Sequence, residues 1–309
     1  MVTGSKTADA GVKTAMQKAL YEVVSKVGAN MNETSRASIL SLIDGDTGDG
    51  DAVSAITNAR LLGALVKNLS ADIAAGLIKC RVLTAHFSRP SVLALNSILL
   101  ESPDTLTESF DAESVSTITR GIGNPEDLIA ENCVLAAGKY LLTPSSNKSF
   151  ENVKSIFEAL VPILQPGTPT DRRRLTLVVL RTLSRQNEEL VRPHLATLAA
   201  PVFANVRDMV LPIKLAAEAA FLSIFCVVEE ESVVFDKYLS GAGATLPPAT
   251  KKSMQEYFKR VALRLGVQAR ERKEAEGGQG GLGLSNDEKE DEREVWSVGK
   301  VDLGDVSFE

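Results

Sequence analysis

The stretch "AVSAITNARLLGALVKNL", residues 52–69, has the spacing of one buried helix face. Its apolar and small residues recur at intervals of three and four positions, which places them along one side of an α-helix. They are Ala52, Ala55, Ile56, Ala59, Leu62, Gly63, Val66 and Leu69. Because the glycine within this face lets a second helix approach closely, the stretch predicts a helix packed against another helix.

The same kind of apolar segment returns four more times along the chain. The segments "LLGAL", "LNSIL", "AAGKY", "LRTLS" and "FLSIF" are centred on the small residues Gly63, Ser97, Gly138, Thr182 and Ser223. Successive centres are separated by 34, 41, 44 and 41 residues. A period of about 40 residues is typical of the two-helix units of HEAT and armadillo repeats, where each unit buries its apolar face against its neighbours.

A second predicted helix accompanies each of these segments. The accompanying segments are "SRASILSLI", "ADIAAGLIKCRVL", "AESVSTITRGI", "ENVKSIFEALVPIL" and "EELVRPHLATLAAPVF". Pro162, Pro193 and Pro201 fall within them and are expected to bend or end their helices, since proline lacks the backbone donor. A leading helix at 11–28 and a basic final helix at 250–276 complete the set.

The sequence therefore predicts an all-α, HEAT/armadillo-like superhelical solenoid of about five helix pairs at residues 10–274. A flexible N-terminus at 1–9 precedes it, and an acidic, Gly-rich, disordered tail at 275–309 follows it. The tail holds 10 acidic and 3 basic residues, a net charge of -7 in a chain whose total is -6. The remaining body is thus close to neutral at +1, which argues against sequence-specific nucleic-acid binding.

The composition provides little material for a metal or cofactor site. Cys80, Cys133 and Cys226 lie far apart inside apolar runs and are predicted to be buried, reduced thiols. With two histidines, His86 and His194, a zinc site is not expected, and neither is a cofactor. The few thiols and the missing signal peptide predict an intracellular compartment.

The segment at 209–228, "MVLPIKLAAEAAFLSIFCVV", is long and apolar enough to raise the question of a membrane span. Lys214 and Glu218 fall near its middle, and a central lysine costs about 2.5 to 3.5 kcal/mol on insertion. A buried repeat helix is therefore predicted instead, with Pro212 in its first turn.

The Asp-rich run "DGDTGDGD", residues 44–51, invites comparison with a calcium loop. Such a loop needs a glutamate at position 12. Counting from Asp44 places Ala55 there, and counting from Asp46 places Thr57. No bound metal is expected, and the run is predicted to be a solvent-exposed loop between two helices.

The most distinctive charged feature is a group of arginines around "TDRRRLTLVVLRTLSRQ". Arg174, Arg181 and Arg185 share one helix face, opposite the apolar residues Leu175, Val179 and Leu183. With Arg172, Arg173 and Arg192 they form a candidate surface for an acidic partner; the alternative is a solvated face paired with Asp171, Glu188 and Glu189. A second basic set, Lys259, Arg260 and Arg264, lies on the final helix and is expected to attract the acidic tail.

Several stretches resemble a known family. They are "SVLALNSILLESPDTL", "VRPHLATLAAPVFANVRDMVLPIKLAAEAAFLSIF", and "FDKYLS" followed by "EYFKRVALRLG". They are similar to the C-terminal HEAT repeats of the general-control translational activators. The resemblance implies a non-catalytic, cytoplasmic scaffold that lies on the ribosome. It also implies contact with the regulatory RWD domain of the initiation factor two alpha kinase in the amino-acid starvation response.

Two other classes of function stay open at this point. One is a HEAT-repeat adaptor of another pathway, such as nuclear transport or phosphatase scaffolding. The other is an enzyme, although no nucleophile with a nearby base, phosphate-binding glycine loop or metal-ligand cluster is visible in the sequence. An enzyme would require a concave pocket holding titratable groups with shifted pKa values.

Overall fold

The structure is a computed structural model that describes residues 10–45, 52–83, 87–142, 148–225 and 231–260. Every regular element in these ranges is a helix, so the predicted all-α class is confirmed. The predicted terminal segments 1–9 and 275–309, most of the Asp-rich loop, Cys226 and Arg264 lie outside the described residues.

The chain divides into two compact units, with the boundary between Asn152 and Val153. The α-helices that lie wholly in unit 1 are α1 (Ala10–Val27), α2 (Glu33–Gly45), α3 (Ala52–Lys67), α4 (Ala71–Arg81), α5 (Arg89–Glu101), α6 (Pro103–Glu108), α7 (Ala112–Ile122) and α8 (Asp127–Leu142). A 3-10 turn at Gly28–Asn30 follows α1.

Two rows of helices form unit 1. Helices α1, α3, α5 and α8 pack against one another in that order, and α2, α4, α6 and α7 pack beside them. The segments centred on Gly63, Ser97 and Gly138 are α3, α5 and α8, so the predicted repeat is the first of these rows. The leading helix predicted at 11–28 is α1, which packs against α3 as the first member of the row.

The small residues at the centres of the repeats allow the helices to approach closely. A Cβ atom placed on Gly63 would lie 2.5 Å from Oγ of Ser97 and 3.1 Å from the Ser97 backbone oxygen. These distances leave no space for a methyl group between α3 and α5. The packing therefore requires glycine at position 63, as the pattern predicted.

Side-chain caps explain where two helices of unit 1 begin. Ser88 Oγ accepts a hydrogen bond from the Ser91 amide, and Ser91 Oγ accepts one from the Ser88 amide, which forms a reciprocal capping box ahead of α5. Asp111 caps α7 by accepting from the Ser114 amide at 2.8 Å. Each cap satisfies backbone donors that the first helical turn leaves unpaired.

Unit 2 holds the later helices. Helix α9 (Phe150–Leu160) crosses the boundary, and α10 (Thr170–Gln186), α11 (Glu188–Val191), α12 (Leu195–Asn205), α13 (Leu211–Phe225) and α14 (Glu231–Ser240) follow. Residues 248–260 are also helical. Three 3-10 turns, Val161–Leu164, Arg192–His194 and Ala242–Thr245, connect these helices. Helix α10 packs against α13, and α12 packs beside α13.

An aromatic cluster forms the core of unit 2 where α12, α13, α14 and the helix at 248–260 meet. Phe203 and Phe221 lie 5.2 Å apart between ring centroids. Phe235 stacks on Phe258 at 4.3 Å with an interplanar angle of 7°. Large rings thus fill the space between these four helices.

Some sequence-based expectations about single elements and residues are confirmed, and others need correction. Helices α6 and α14 were not predicted as separate elements. Pro201 lies inside α12, which continues past it, whereas Pro162 and Pro193 lie in 3-10 turns after their helices end. Cys133 is buried as predicted, and burial raises the pKa of its thiol. Cys80, in contrast, is exposed, because α4 belongs to the second row.

Candidate partner surface

Helix α10 carries the predicted arginine stripe in the middle of unit 2. Arg174, Arg181 and Arg185 are each partly exposed, and the opposite face is fully buried as predicted. Leu177 and Val178, which lie close to the stripe around the helix, are buried as well. The arginines therefore lie on the one partly exposed side of a helix that is otherwise covered.

Arg173 does not lie on the surface, contrary to the sequence-based expectation. It is 8% exposed. Its Nη1 donates to Oδ2 of Asp208 and, at 3.3 Å, to Oδ1 of Asn205, while its Nε donates to the Thr168 carbonyl at 3.2 Å. The guanidinium is thus used entirely within unit 2, where it joins the start of α10 to the end of α12.

The partners of Arg173 are themselves fixed by the backbone. Asn205 donates to the carbonyl of Leu164 at 2.8 Å and to that of Pro201 at 2.9 Å. Asp208 accepts from the Val210 amide at 2.8 Å. That backbone hydrogen bond, together with the bond from Arg173, lowers the pKa of the Asp208 carboxyl. The network therefore favours a charged Asp208 next to a charged Arg173.

Arg172 is also buried, at 7% exposed, so it cannot belong to an exposed patch either. Arg192 is exposed at the surface, where it forms an ion pair with Glu188 one turn earlier. This pair corresponds to the ladder that the sequence left open as an alternative, and such exposed pairs are worth under about 1 kcal/mol. Of the six arginines predicted around α10, two are buried, three are partly exposed and one is exposed.

The second predicted basic set is exposed as far as the structure describes it. Lys259 and Arg260 lie at the end of the described part of the helix at 248–260, and both are exposed. The guanidinium carbon of Arg260 lies 5.7 Å from the ring centroid of Tyr257. The ring orients this arginine through a cation–π contact, which leaves its donors toward solvent.

Sequence reasoning missed an apolar surface at the start of α13. This helix was predicted to be a buried repeat helix, and Ile213, Ala217 and Phe221 are indeed buried. Met209, Leu211 and Leu215, however, are exposed. Helix α13 packs against α10 and α12 with one side and leaves another side exposed. In the sequence, the exposed side was indicated by Lys214, because a charged residue in an apolar helix favours contact with water.

Unit 1 contains a cavity of about 170 Å³ between α1, α3 and α5. At the edge of the cavity, Tyr21 donates to Oε1 of Glu101 at 2.7 Å. Burial is the main reason that the pKa of Tyr21 is raised and that the pKa of Arg60 is lowered. Oδ1 of Asn96 and Oγ of Ser97 are buried without a hydrogen-bond partner. The cavity can hold water or a small polar group.

Membrane-spanning helices and metal-binding clusters are both absent from residues 10–45, 52–83, 87–142, 148–225 and 231–260. No helix in these ranges combines the length and the hydrophobicity needed to cross a membrane. No three histidine, cysteine, aspartate or glutamate side chains in the same ranges come together in a group suited to a metal ion.

Comparison with known families decides what this arrangement belongs to. The profile of the family described as "Stalled ribosome sensor GCN1-like, HEAT repeats" matches residues 2–276. The chain belongs to this family. The match covers both units, so the GCN1-like repeats account for every helix described above.

Two curated relatives support the assignment. The "eIF-2-alpha kinase activator GCN1" of Saccharomyces cerevisiae is 37% identical over 336 aligned positions, which cover 98% of this chain. "Protein ILITYHIA" of Arabidopsis thaliana is 24% identical over 257 positions, which cover 79% of this chain. The chain spans 12% and 9% of the length of these two relatives.

Among solved structures, the designed armadillo repeat protein YIII(Dq)4CqI is similar with a TM-score of 0.45 and 14% identity, over 72% of this chain and 98% of that one. A second designed armadillo repeat protein, YIII(Dq.V1)4CPAF, has a TM-score of 0.39 and 13% identity, over 84% of this chain and 96% of that one.

Proposed function

We propose that this chain is a non-catalytic interaction scaffold within an activator of the initiation factor two alpha kinase. The observation that carries this proposal is the 37% identity, over 98% of the chain, to a yeast protein named for that activity. The family description adds the sensing of stalled ribosomes. The ribosome and the RWD domain of the kinase are therefore the proposed partners, and the cytoplasm, where ribosomes translate, is the proposed location.

The use of polar residues inside unit 1 supports a scaffold rather than an enzyme. Gln17 donates to Asn58 at 3.1 Å between α1 and α3, and Asn96 donates to Asn132 at 2.6 Å between α5 and α8. These buried amides join neighbouring helices of one row. In unit 2, the Arg173 guanidinium likewise joins α10 to Asn205 at the end of α12. Such hydrogen bonds fix the spacing of the helices, on which a repeat scaffold depends to present its outer residues.

The proposed contact surface consists of the exposed and partly exposed arginines around α10. They are Arg174, Arg181, Arg185 and Arg192, with Lys259 and Arg260 as a second set. Guanidinium groups bind phosphate and carboxylate groups with two parallel hydrogen bonds, so this surface suits ribosomal RNA backbone or an acidic protein face. Arg172 and Arg173 are left out because they are buried.

Ribosome co-sedimentation tests the proposal. The variant Arg174→Glu/Arg181→Glu/Arg185→Glu is expected to leave the ribosome at lower salt than the wild type, because each substitution replaces an attraction with a repulsion. The matched control, Lys154→Glu/Lys237→Glu/Lys252→Glu, changes the net charge equally at exposed sites of unit 2. Circular dichroism checks that both variants remain folded. Equal salt dependence of the two variants would contradict the proposed surface.

Binding to the kinase is a separate measurement. The purified RWD domain is titrated against the full chain, against the same triple variant and against Lys259→Glu/Arg260→Glu. Loss of binding in one variant would assign the kinase to that set of residues. Unchanged binding in both variants would show that neither set contacts the RWD domain.

A further inference from the structure

An exposed apolar surface lies at the turn between α12 and α13 and on the first two turns of α13. Met209 is 97% exposed, Leu211 61% and Leu215 54%, and Val210 between them is also exposed. Leu211 and Leu215 are four positions apart on α13 and therefore lie side by side. We call these four residues the Met209 patch. Elsewhere in unit 2, large apolar side chains with comparable exposure do not cluster in this way among the described residues.

The turn that carries the patch is held in place from inside. Asp208 accepts from the Val210 amide at 2.8 Å, and its carboxylate is paired with the buried guanidinium of Arg173. Asn205 contacts the same guanidinium and donates to the Leu164 carbonyl. Three elements, α10, α12 and the turn at Val161–Leu164, thus fix the backbone directly before Met209.

In the Arg173–Asp208 pair the guanidinium is buried, whereas the Asp208 side chain is partly exposed. Well-packed apolar residues in place of a shielded ion pair are often equally stable or more stable. A polar network does, however, define one backbone geometry, because each of its hydrogen bonds restricts distance and angle. Arg173 and Asp208 therefore serve to position the turn, and the side chains that the turn displays are exposed and apolar.

The charges around the Met209 patch restrict what binds there. Arg207 and Lys214 are exposed on either side of Met209, whereas Asp208 faces Arg173 and Glu218 is only partly exposed. Arg207 is oriented by Phe203, whose ring centroid lies 5.6 Å from its guanidinium carbon. The rim thus presents two cations around an apolar centre.

We propose that the Met209 patch binds an amphipathic α-helix of a partner protein, with apolar residues at helical spacing and acidic residues beside them. Leu211 and Leu215 form a ridge that fits between the side chains of such a helix, and Arg207 and Lys214 meet its carboxylates. This inference concerns a surface different from the arginines of α10, so it goes beyond the function proposed above.

Display selection on the purified chain tests the inference even though the partner is unidentified. The probe is a library of 16-residue helical peptides with randomised exposed positions. We expect enrichment of peptides with apolar residues at i, i+3, i+4 and i+7 flanked by Asp or Glu. The enriched peptides are expected to lose at least tenfold in affinity on Leu211→Ser/Leu215→Ser. The matched control is Val23→Ser/Val27→Ser, a pair with the same spacing and comparable exposure on α1.

Three outcomes would overturn the inference. They are no enrichment, enrichment of basic or uncharged peptides, and equal binding of enriched peptides to the patch variant and the control variant. Binding of anionic vesicles or RNA that depends on Leu211 and Leu215, without peptide enrichment, would assign the patch to another class of ligand.

The positioning role of Arg173 is tested with the same enriched peptide. Arg173→Met is expected to weaken peptide binding, although residue 173 is buried and cannot touch the peptide. Amide hydrogen exchange at residues 208–210 should increase in this variant. Retained affinity together with increased exchange would show that the turn does not need to be fixed for binding.

Discussion

The amide of Asn96 donates to Oδ1 of Asn132 at 2.6 Å, which joins α5 to α8 inside unit 1. Asn132 in turn donates to the Leu128 carbonyl within its own helix. Replacing Asn96 with alanine leaves the Asn132 oxygen buried without its donor. We expect Asn96→Ala to lower the free energy of unfolding by about 1 to 3 kcal/mol. Urea denaturation measures this, with Ser116→Ala on the exposed side of α7 as the control; equal stability of the two variants would contradict the role of this hydrogen bond.

Alanine substitution is expected to change stability in opposite directions at two glycines, Gly63 and Gly76. Gly63→Ala places a methyl group 2.5 Å from Ser97 Oγ, so we expect destabilisation by about 1 to 3 kcal/mol. Gly76→Ala on α4 meets no atom within 4 Å, so we expect stabilisation by about 0.4 to 1 kcal/mol. Thermal unfolding of the two variants compares them directly. Stabilisation by both would show that α3 and α5 have space between them.

The first row of unit 1 could be predicted from the sequence because its signal is local. Each repeat has a small residue in the middle of an apolar helix face, and the repeats are about one helix pair apart. This pattern predicts a helix and also predicts that a second helix packs closely against it. Helices α6 and α14 carry no such signal, since α6 spans only six residues and α14 lies outside the spacing of the repeat centres. Their packing depends on contacts with helices distant in the sequence.

Arg173 and Arg174 are adjacent in the sequence but are expected to respond differently to substitution. Arg173→Met leaves Asp208 and Asn205 without their shared partner, and we expect a loss of about 1 to 3 kcal/mol in stability. Arg174→Met removes a partly exposed charge and should change stability by less than about 1 kcal/mol. Denaturant titration of both variants gives the comparison. Similar stabilities would contradict the buried network.

The difference between these two arginines could not be read from the sequence. Helical spacing places Arg173 beside the exposed stripe, and a charged residue there is normally solvated. Its burial depends on Asp208, which is 35 positions away and belongs to no periodic pattern. Buried charges are decided by such pairings, so the sequence could identify the arginine-rich helix but not which arginines reach the surface.

The cap of α7 gives a prediction about pH. The hydrogen bond from Lys79 at 2.6 Å, followed by those from Ser114, lowers the pKa of Asp111. A lowered carboxyl pKa stabilises the fold above the ordinary value of about 4, and this contribution is lost as the pH falls below that value. Asp111→Asn should therefore be less stable than the wild type at neutral pH, with a difference that shrinks on acidification.

The control for this cap is Glu113→Gln in the same first turn of α7, which removes an exposed charge at a similar distance from the helix start. Urea denaturation at neutral and acidic pH is carried out on both variants. A pH dependence that is the same in Asp111→Asn and Glu113→Gln would assign the effect to the helix dipole rather than to the Lys79 pair.

Kinase activation in cells tests the central proposal most directly. The protein is replaced in cells by its Arg174→Glu/Arg181→Glu/Arg185→Glu variant, and phosphorylation of initiation factor two alpha is measured after amino-acid withdrawal. The comparison is with the matched Lys154→Glu/Lys237→Glu/Lys252→Glu variant at equal protein level. We predict that phosphorylation is strongly reduced in the arginine variant and retained in the lysine variant. Full phosphorylation in both would contradict a scaffold that acts through the arginines of α10.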